Sequence, residues 1–209
     1  MPKEQGLGSK ELIGWIKEEV GESLRVKQAF LQECAEPLAA ICAAVAERLQ
    51  RGGKLLLFGN GGSAADAQHI AAEFVGRYQL ERMGLPAIAL TVNSSTLTAV
   101  ANDYGYEEVF ARQIGALGAE KDAAIGISTS GNSPNVLRGI AAARQRGMLT
   151  VGLTGKTGGE LKRLADLCLC VPSPVAARIQ ECHILAGHII SGHCERVLTQ
   201  QVASAAGKG

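Results

Sequence analysis

One unit recurs five times along this chain: a short apolar run, a loop of small or polar residues, then residues at helical spacing. The runs fall at 54–58, 86–90, 123–127, 149–153 and 167–171. Parallel strands need a crossover between them, and helical crossovers cover both faces of a sheet. The alternation therefore specifies an α/β fold with a parallel sheet of five strands inside a three-layer sandwich. Hydrophobic residues make up 46% of the chain but aromatics only 4%, so the core is built from Ala, Val, Leu and Ile. Such a core suits helices lying close on a sheet. Two N-terminal helices precede the first strand. One carries Leu12, Trp15, Ile16 and Val20; the second, after Pro37, carries Leu38, Ile41, Val45 and Leu49 and is closed by Gly52 and Gly53. A last long helix covers about residues 176–200. No linker, low-complexity stretch or solenoid repeat divides the chain. The reading is one domain over 1–209: a helical arm at 1–52, sheet and helices at 53–200, and a flexible tail at 201–209.

Charge narrows the range of partners. Twenty-one basic residues face twenty acidic ones, for a net charge of +1, and no basic stripe is present, so no nucleic acid partner is expected. No apolar run approaches the roughly 18 residues of a membrane span, so no membrane is expected either. Residues 1–10 lack the basic-then-apolar order of a signal peptide. The six cysteines show no Cys-x-x-Cys pairing, and most sit in apolar stretches as small hydrophobes. A reducing compartment, the cytoplasm, follows.

Ligands of such sheets bind at the carboxyl ends of the strands. The loop Ser128-Thr129-Ser130-Gly131-Asn132-Ser133 places four hydroxyls before a helix whose first turn holds Pro134. Helix N-termini attract anions, and hydroxyls without a lysine suit a phosphate monoester. The plain alternative is an N-cap by Ser133. The loop Gly59-Asn60-Gly61-Gly62-Ser63 lacks the third glycine of a dinucleotide fingerprint and the lysine of a Walker motif. It reads as a tight turn that lets a substrate approach backbone, or as an ordinary strand-to-helix turn. Residues 154–158 read as a structural turn with Lys156 in solvent. His69 and Glu73, four apart, share a helix face; Gln180 and His188 lie on roughly one side of the last helix, together with His183 and His193. This set permits a metal or acid–base site without implying one.

Taken together, Gly-Asn-Gly-Gly-Ser at 59–63, Asp66-Ala-Gln-His69 with Glu73, Gly76-Arg77-Tyr78, Asn102-Asp103-Tyr104-Gly105, Ser-Thr-Ser-Gly-Asn-Ser at 128–133 and Arg178-Ile-Gln-Glu-x-His183 with His188 resemble the phosphoheptose isomerases of the SIS class. The resemblance covers about residues 50–198. It implies a flavodoxin-like sheet, a homotetramer, and conversion of the phosphorylated sugar sedoheptulose 7-phosphate to a manno-heptose 7-phosphate for heptose precursor synthesis. It further implies Glu73 and His188 as acid–base groups and His69, Glu73, Gln180 and His188 as ligands of one zinc per subunit. Ser128, Thr129, Ser130 and Ser133 are matched to the phosphate, and Asn60, Gly61, Gly62, Ser63, Asn102, Asp103 and Gln180 to the rest of the substrate. In the family the site lies between subunits, so Glu73 and His188 would reach it from different chains. Asn93 and Ala177 stand where some members carry Asp. The alternative is a non-catalytic SIS protein that binds a phosphosugar or a replication-initiation partner; its mark would be loss of the glutamate at 73, which is present here. A sugar-binding regulator would carry a DNA-binding domain, and residues 1–50 show no helix-turn-helix.

Overall fold

The computed structural model describes residues 8–206. Five strands, β1 (Leu55–Gly59), β2 (Ala87–Ala89), β3 (Ala123–Ile127), β4 (Leu149–Gly155) and β5 (Leu167–Val171), form one sheet in the order β2-β1-β3-β4-β5, parallel throughout. This is the doubly wound, flavodoxin-like order, whose direction reverses between β1 and β3. β1 and β3 run in register from Leu55 opposite Ala123 to Gly59 opposite Ile127. The two loops singled out from the sequence therefore leave adjacent strands at the same end.

The helices divide into two layers. On one face α1 (Ser9–Gln50), α2 (Gly62–Val75) and α7 (Ala176–Ala206) enclose a core of Ile41, Val45, Leu57, Ile70, Phe74, Leu153, Ile179 and Ile190. On the other, α3 (Ser94–Tyr104), α4 (Val109–Leu117), α5 (Pro134–Gln145) and α6 (Gly159–Leu164) cover Leu56, Phe58, Phe110, Ile114 and Ile140. All six cysteines are free. Burial pushes the Cys42 thiol up to about 11 and the Cys194 thiol up to about 12, so these two behave as core hydrophobes.

Three expectations change. The two leading helices are one, α1, which runs 42 residues with Pro37 inside it. An interior proline costs roughly 3 kcal/mol, but Pro37 is exposed, and the buried residues on either side of it, Phe30, Cys34, Leu38, Ile41 and Cys42, hold the helix continuous. The same helix contains an 18-residue window of mean hydropathy 1.4, long and apolar enough to cross a membrane by composition, contrary to the absence expected. About 39% of that window is buried in this fold. Finally, the last helix continues to Ala206, past the start of the expected tail.

Candidate active site

The phosphate-loop candidate is a folded cradle. Gly131 takes a positive φ of 69° and has no room for a side chain: a β-carbon there would lie 2.1 Å from the Gly158 carbonyl oxygen. The start of α6 pins the loop from outside, with the Leu161 amide donating to the Gly131 carbonyl (2.9 Å) and the Glu160 amide to Asn132 Oδ1 (3.0 Å). Ser133 sits at the N-cap of α5, yet its side chain makes no capping bond. Its hydroxyl meets Ser128 Oγ at 2.9 Å, and Ser130 Oγ lies 3.4 Å from the same atom. The capping alternative therefore fails, and three of the four hydroxyls cluster over a helix start whose first amides have no intrahelical acceptor. Pro134 begins α5 with its fixed φ.

The Gly-rich loop closes the other side. Asn60 and Asn135 exchange amide hydrogen bonds of 2.9 and 2.8 Å, and the Tyr106 hydroxyl donates to Asn60 Oδ1 at 3.1 Å. The reciprocal pair fixes which way the Asn60 amide faces. Gly61 adopts φ 55° at the cap of α2; Gly61 and Gly62 are exposed, whereas Ser63 is buried against Gly59. Gln180 reaches over this loop: a β-carbon on Gly62 would stand 2.5 Å from its Nε2. Between the loops opens a cleft of about 500 Å³ lined by Asn60, Gly105, Tyr106, Glu107, Ser133, Pro134 and Asn135. The charge of Glu107 is taken up by Arg138 at 2.7 Å. Asn102 and Asp103 lie exposed at the end of α3, bonded to each other at 2.8 Å rather than to either loop.

The ionisable residues of α2 and α7 converge within a single chain. His69 Nε2 stands 3.1 Å from Glu73 Oε1 and 3.3 Å from His188 Nε2, and the three ligand atoms lie within 4.8 Å of one another. Ligand atoms about 2.1 Å from a tetrahedral zinc are about 3.4 Å apart, so two of the three separations already fit. His69 is exposed, and Glu73 and His188 are half-buried. Nearly one turn before His69, Asp66 has its carboxyl raised above the ordinary range by burial, against the opposing influence of His69, and its Oδ2 has no partner. His183 is not part of the group. It is fully buried, its Nε2 donates to the Thr154 carbonyl at 3.0 Å, and burial lowers its pKa to about 4. Lys156 is exposed, as expected. Asn135, which looks like an ordinary first-turn residue, had no sequence signal of its own. Tyr78 entered only as part of the Gly76-Arg77-Tyr78 motif, with no role attached; it stacks on His188 with ring centroids 5.5 Å apart and 20° between planes.

A parallel sheet with hydroxyl and Gly-rich loops at its switch point defines a SIS domain, and the SIS domain family model matches residues 20–155. The chain belongs, within that class, to the phosphoheptose isomerase family. A phosphoheptose isomerase of Roseiflexus sp. (strain RS-1) is 56% identical over 193 residues, covering 92% of this chain and 98% of the relative. The structure of a phosphoheptose isomerase from Neisseria gonorrhoeae superposes with a TM-score of 0.84 at 43% identity, over 88% of this chain and 99% of the other. One from Francisella tularensis gives 0.85 at 36% identity, over 88% and 98%.

Proposed function

We propose that this chain is an aldose–ketose isomerase that converts sedoheptulose 7-phosphate to D-glycero-D-manno-heptose 7-phosphate, and that it works in the cytoplasm as one SIS domain assembled into a homotetramer. The observation that carries the chemistry is the convergence of His69, Glu73 and His188 at 3.1 and 3.3 Å beside the Gly-rich loop. Relatives named phosphoheptose isomerase at 50–56% identity supply the sugar.

Isomerisation moves one proton between adjacent carbons through an enediol, with a group on the carbonyl oxygen to take up charge. The phosphate of the substrate binds the hydroxyls of Ser128, Thr129, Ser130 and Ser133 and the first amides of α5. Asn60, held by Asn135 and Tyr106, turns its remaining amide proton toward the sugar, and the exposed backbone of Gly61 and Gly62 lets the chain of hydroxyls lie close. Glu73 takes the proton from one carbon and returns it to the next. His188 donates to or accepts from the ring and carbonyl oxygens, which also serves ring opening. The donor set suits zinc, which His69, Glu73, His188 and, by a turn of its side chain from Gly62, Gln180 would hold; bound there, the ion supplies a Lewis acid for the substrate oxygens. Asn102 and Asp103 are bonded to each other in this chain, so a substrate contact by them requires that pair to open.

Proton NMR of the protein with sedoheptulose 7-phosphate and, separately, with fructose 6-phosphate tests the reading. Aldoheptose signals should grow only from the first, and turnover of the six-carbon sugar alone would reassign the substrate. Purified protein should hold about one zinc per chain, and a strong chelator should remove it and lower the rate. Full activity in metal-free protein would leave the proton transfer to side chains alone.

A further inference from the structure

The helices that carry the converging groups, α2 and α7, are joined beyond the site by a buried ion pair. α2 ends at Val75, so its final carbonyls have no helical amides to accept from, and no basic residue stands in its last turn. Arg82 folds back over them. Its Nη1 donates to the carbonyls of Phe74 (2.8 Å), Gly76 (3.0 Å) and Met83 (3.0 Å), and its Nη2 to the carbonyl of Glu73 (2.8 Å). The guanidinium thus places a full positive charge at the negative end of the helix dipole. Its side chain is 6% exposed, and its Nε faces Glu195 Oε1 at 3.2 Å without an aligned hydrogen bond.

Glu195 lies about two turns beyond His188 on α7 and is 1% exposed. It accepts the amides of Tyr78 (3.1 Å) and Gln79 (2.9 Å). Burial alone would raise its carboxyl; the amides of Gln79, Leu80 and Tyr78 and the Arg82 charge outweigh that and hold it below the usual range. The residue whose amide it holds, Tyr78, is the one stacked on His188.

We propose that Arg82 and Glu195 form a positioning pair that sets the geometry between Glu73 and His188, a role that rests on the isomerase reading above. Arg82 fixes the backbone of Glu73 itself. Glu195 fixes the backbone of Tyr78, whose ring fixes the imidazole of His188. The pair therefore holds Glu73 directly and His188 through one intervening residue. Stability alone is a weak reason to keep such a pair, because well-packed apolar residues often replace a buried ion pair without loss. Orientation is a better one, since a misplacement of about 1 Å can cost about a hundredfold in rate.

The test uses Arg82→Lys, which keeps the charge but loses the fork, and Glu195→Gln, which keeps the shape but loses the charge. Both should lower kcat about tenfold or more with KM within about twofold. In both, the His188 ring protons, readily assigned in a chain of four histidines, should move toward their free-imidazole positions as the Tyr78 ring leaves. Ile114→Ala, in the opposite core layer, serves as a control for stability: it should lower the melting temperature while kcat and the His188 signals stay put. Folded Arg82→Lys and Glu195→Gln proteins with wild-type kcat and His188 signals would overturn the proposal. So would the same loss of kcat in Ile114→Ala. Should either charge variant fail to fold, Tyr78→Leu, which removes the ring and touches neither charge, must show the same kcat loss and His188 shift or the proposal falls. If wild-type protein does not turn over the heptose phosphate, the isomerase reading fails by itself, and the His188 signals still decide whether the pair positions the ring.

Discussion

Glu73 and His183 sit on neighbouring helices in opposite settings, one half-exposed and one fully buried. Glu73 is half-buried beside two imidazoles and belongs to neither hydrophobic core. Glu73→Gln should therefore leave the melting temperature within a few degrees of wild type while kcat falls below about a tenth, a barrier increase of at least about 1.4 kcal/mol; a folded variant above that rate would remove Glu73 from proton transfer. His183 is the reverse case, fully buried with Nδ1 unpartnered and a pKa near 4. Its folded pKa is depressed, so below about pH 6.5 the unfolded chain binds a proton that the folded one refuses. The stability tied to this histidine is complete above about pH 6.5 and is lost as pH falls toward 4, by on the order of 3 kcal/mol. Urea midpoints measured at pH 7.5, 5.5 and 4.5 should decline more steeply for wild type than for His183→Gln, which keeps a donor for the Thr154 carbonyl. Equal slopes would show that other groups carry the acid sensitivity.

At the scale of elements, the loop 128–133 is where sequence and structure agree most closely. Four hydroxyls around a glycine predicted an anion-binding loop, and the structure gathers three of them, with Ser128 as the hub for Ser130 and Ser133. Thr129→Val together with Ser130→Ala should raise KM for a phosphorylated sugar by about tenfold or more, since each loses a donor to a charged group. An unchanged KM would move the phosphate elsewhere. The strands were legible because apolar runs bounded by small polar loops have few other solutions, and His69 with Glu73 because an i, i+4 spacing puts two side chains on one helix face. The continuity of α1 through Pro37 was not legible: packing on both sides of the proline decides it, and local propensity argues the other way. Nor were Asn135, Tyr106 and Glu195, whose partners lie 46 or more residues away in sequence, or Arg82, which sits in a loop with no periodic pattern. Contacts of that kind exist only after the sheet order has brought α2, α5 and α7 together.

On the scale of the whole molecule, α1 presents a large apolar face between residues 12 and 31. Leu12, Ile13, Trp15, Ile16, Val20, Leu24 and Leu31 are each at least 42% exposed, whereas Cys34, Leu38, Ile41, Val45 and Leu49 further along the same helix are buried in the core. A contiguous face of this kind marks a contact surface, and closed point-group symmetry is the usual way for identical chains to cover one. If the proposed homotetramer covers this face, light scattering should give the mass of four chains, and Trp15→Glu with Val20→Glu should lower it; the mass of one chain from the wild-type protein would leave the face without this occupant. The proposed tetramer would not by itself divide the site. His69, Glu73 and His188 meet within one chain, with His188 at 3.3 Å from its partner, which departs from the expectation that Glu73 and His188 reach the site from different subunits. Complementation follows from that geometry. When inactive Glu73→Gln and His188→Ala proteins are mixed and allowed to exchange subunits, no site regains both groups, so activity should stay at the level of the separate mutants. Recovery of about a quarter or more of wild-type activity, with exchange proven by mass spectrometry of differently tagged chains, would show instead that the two residues act across an interface.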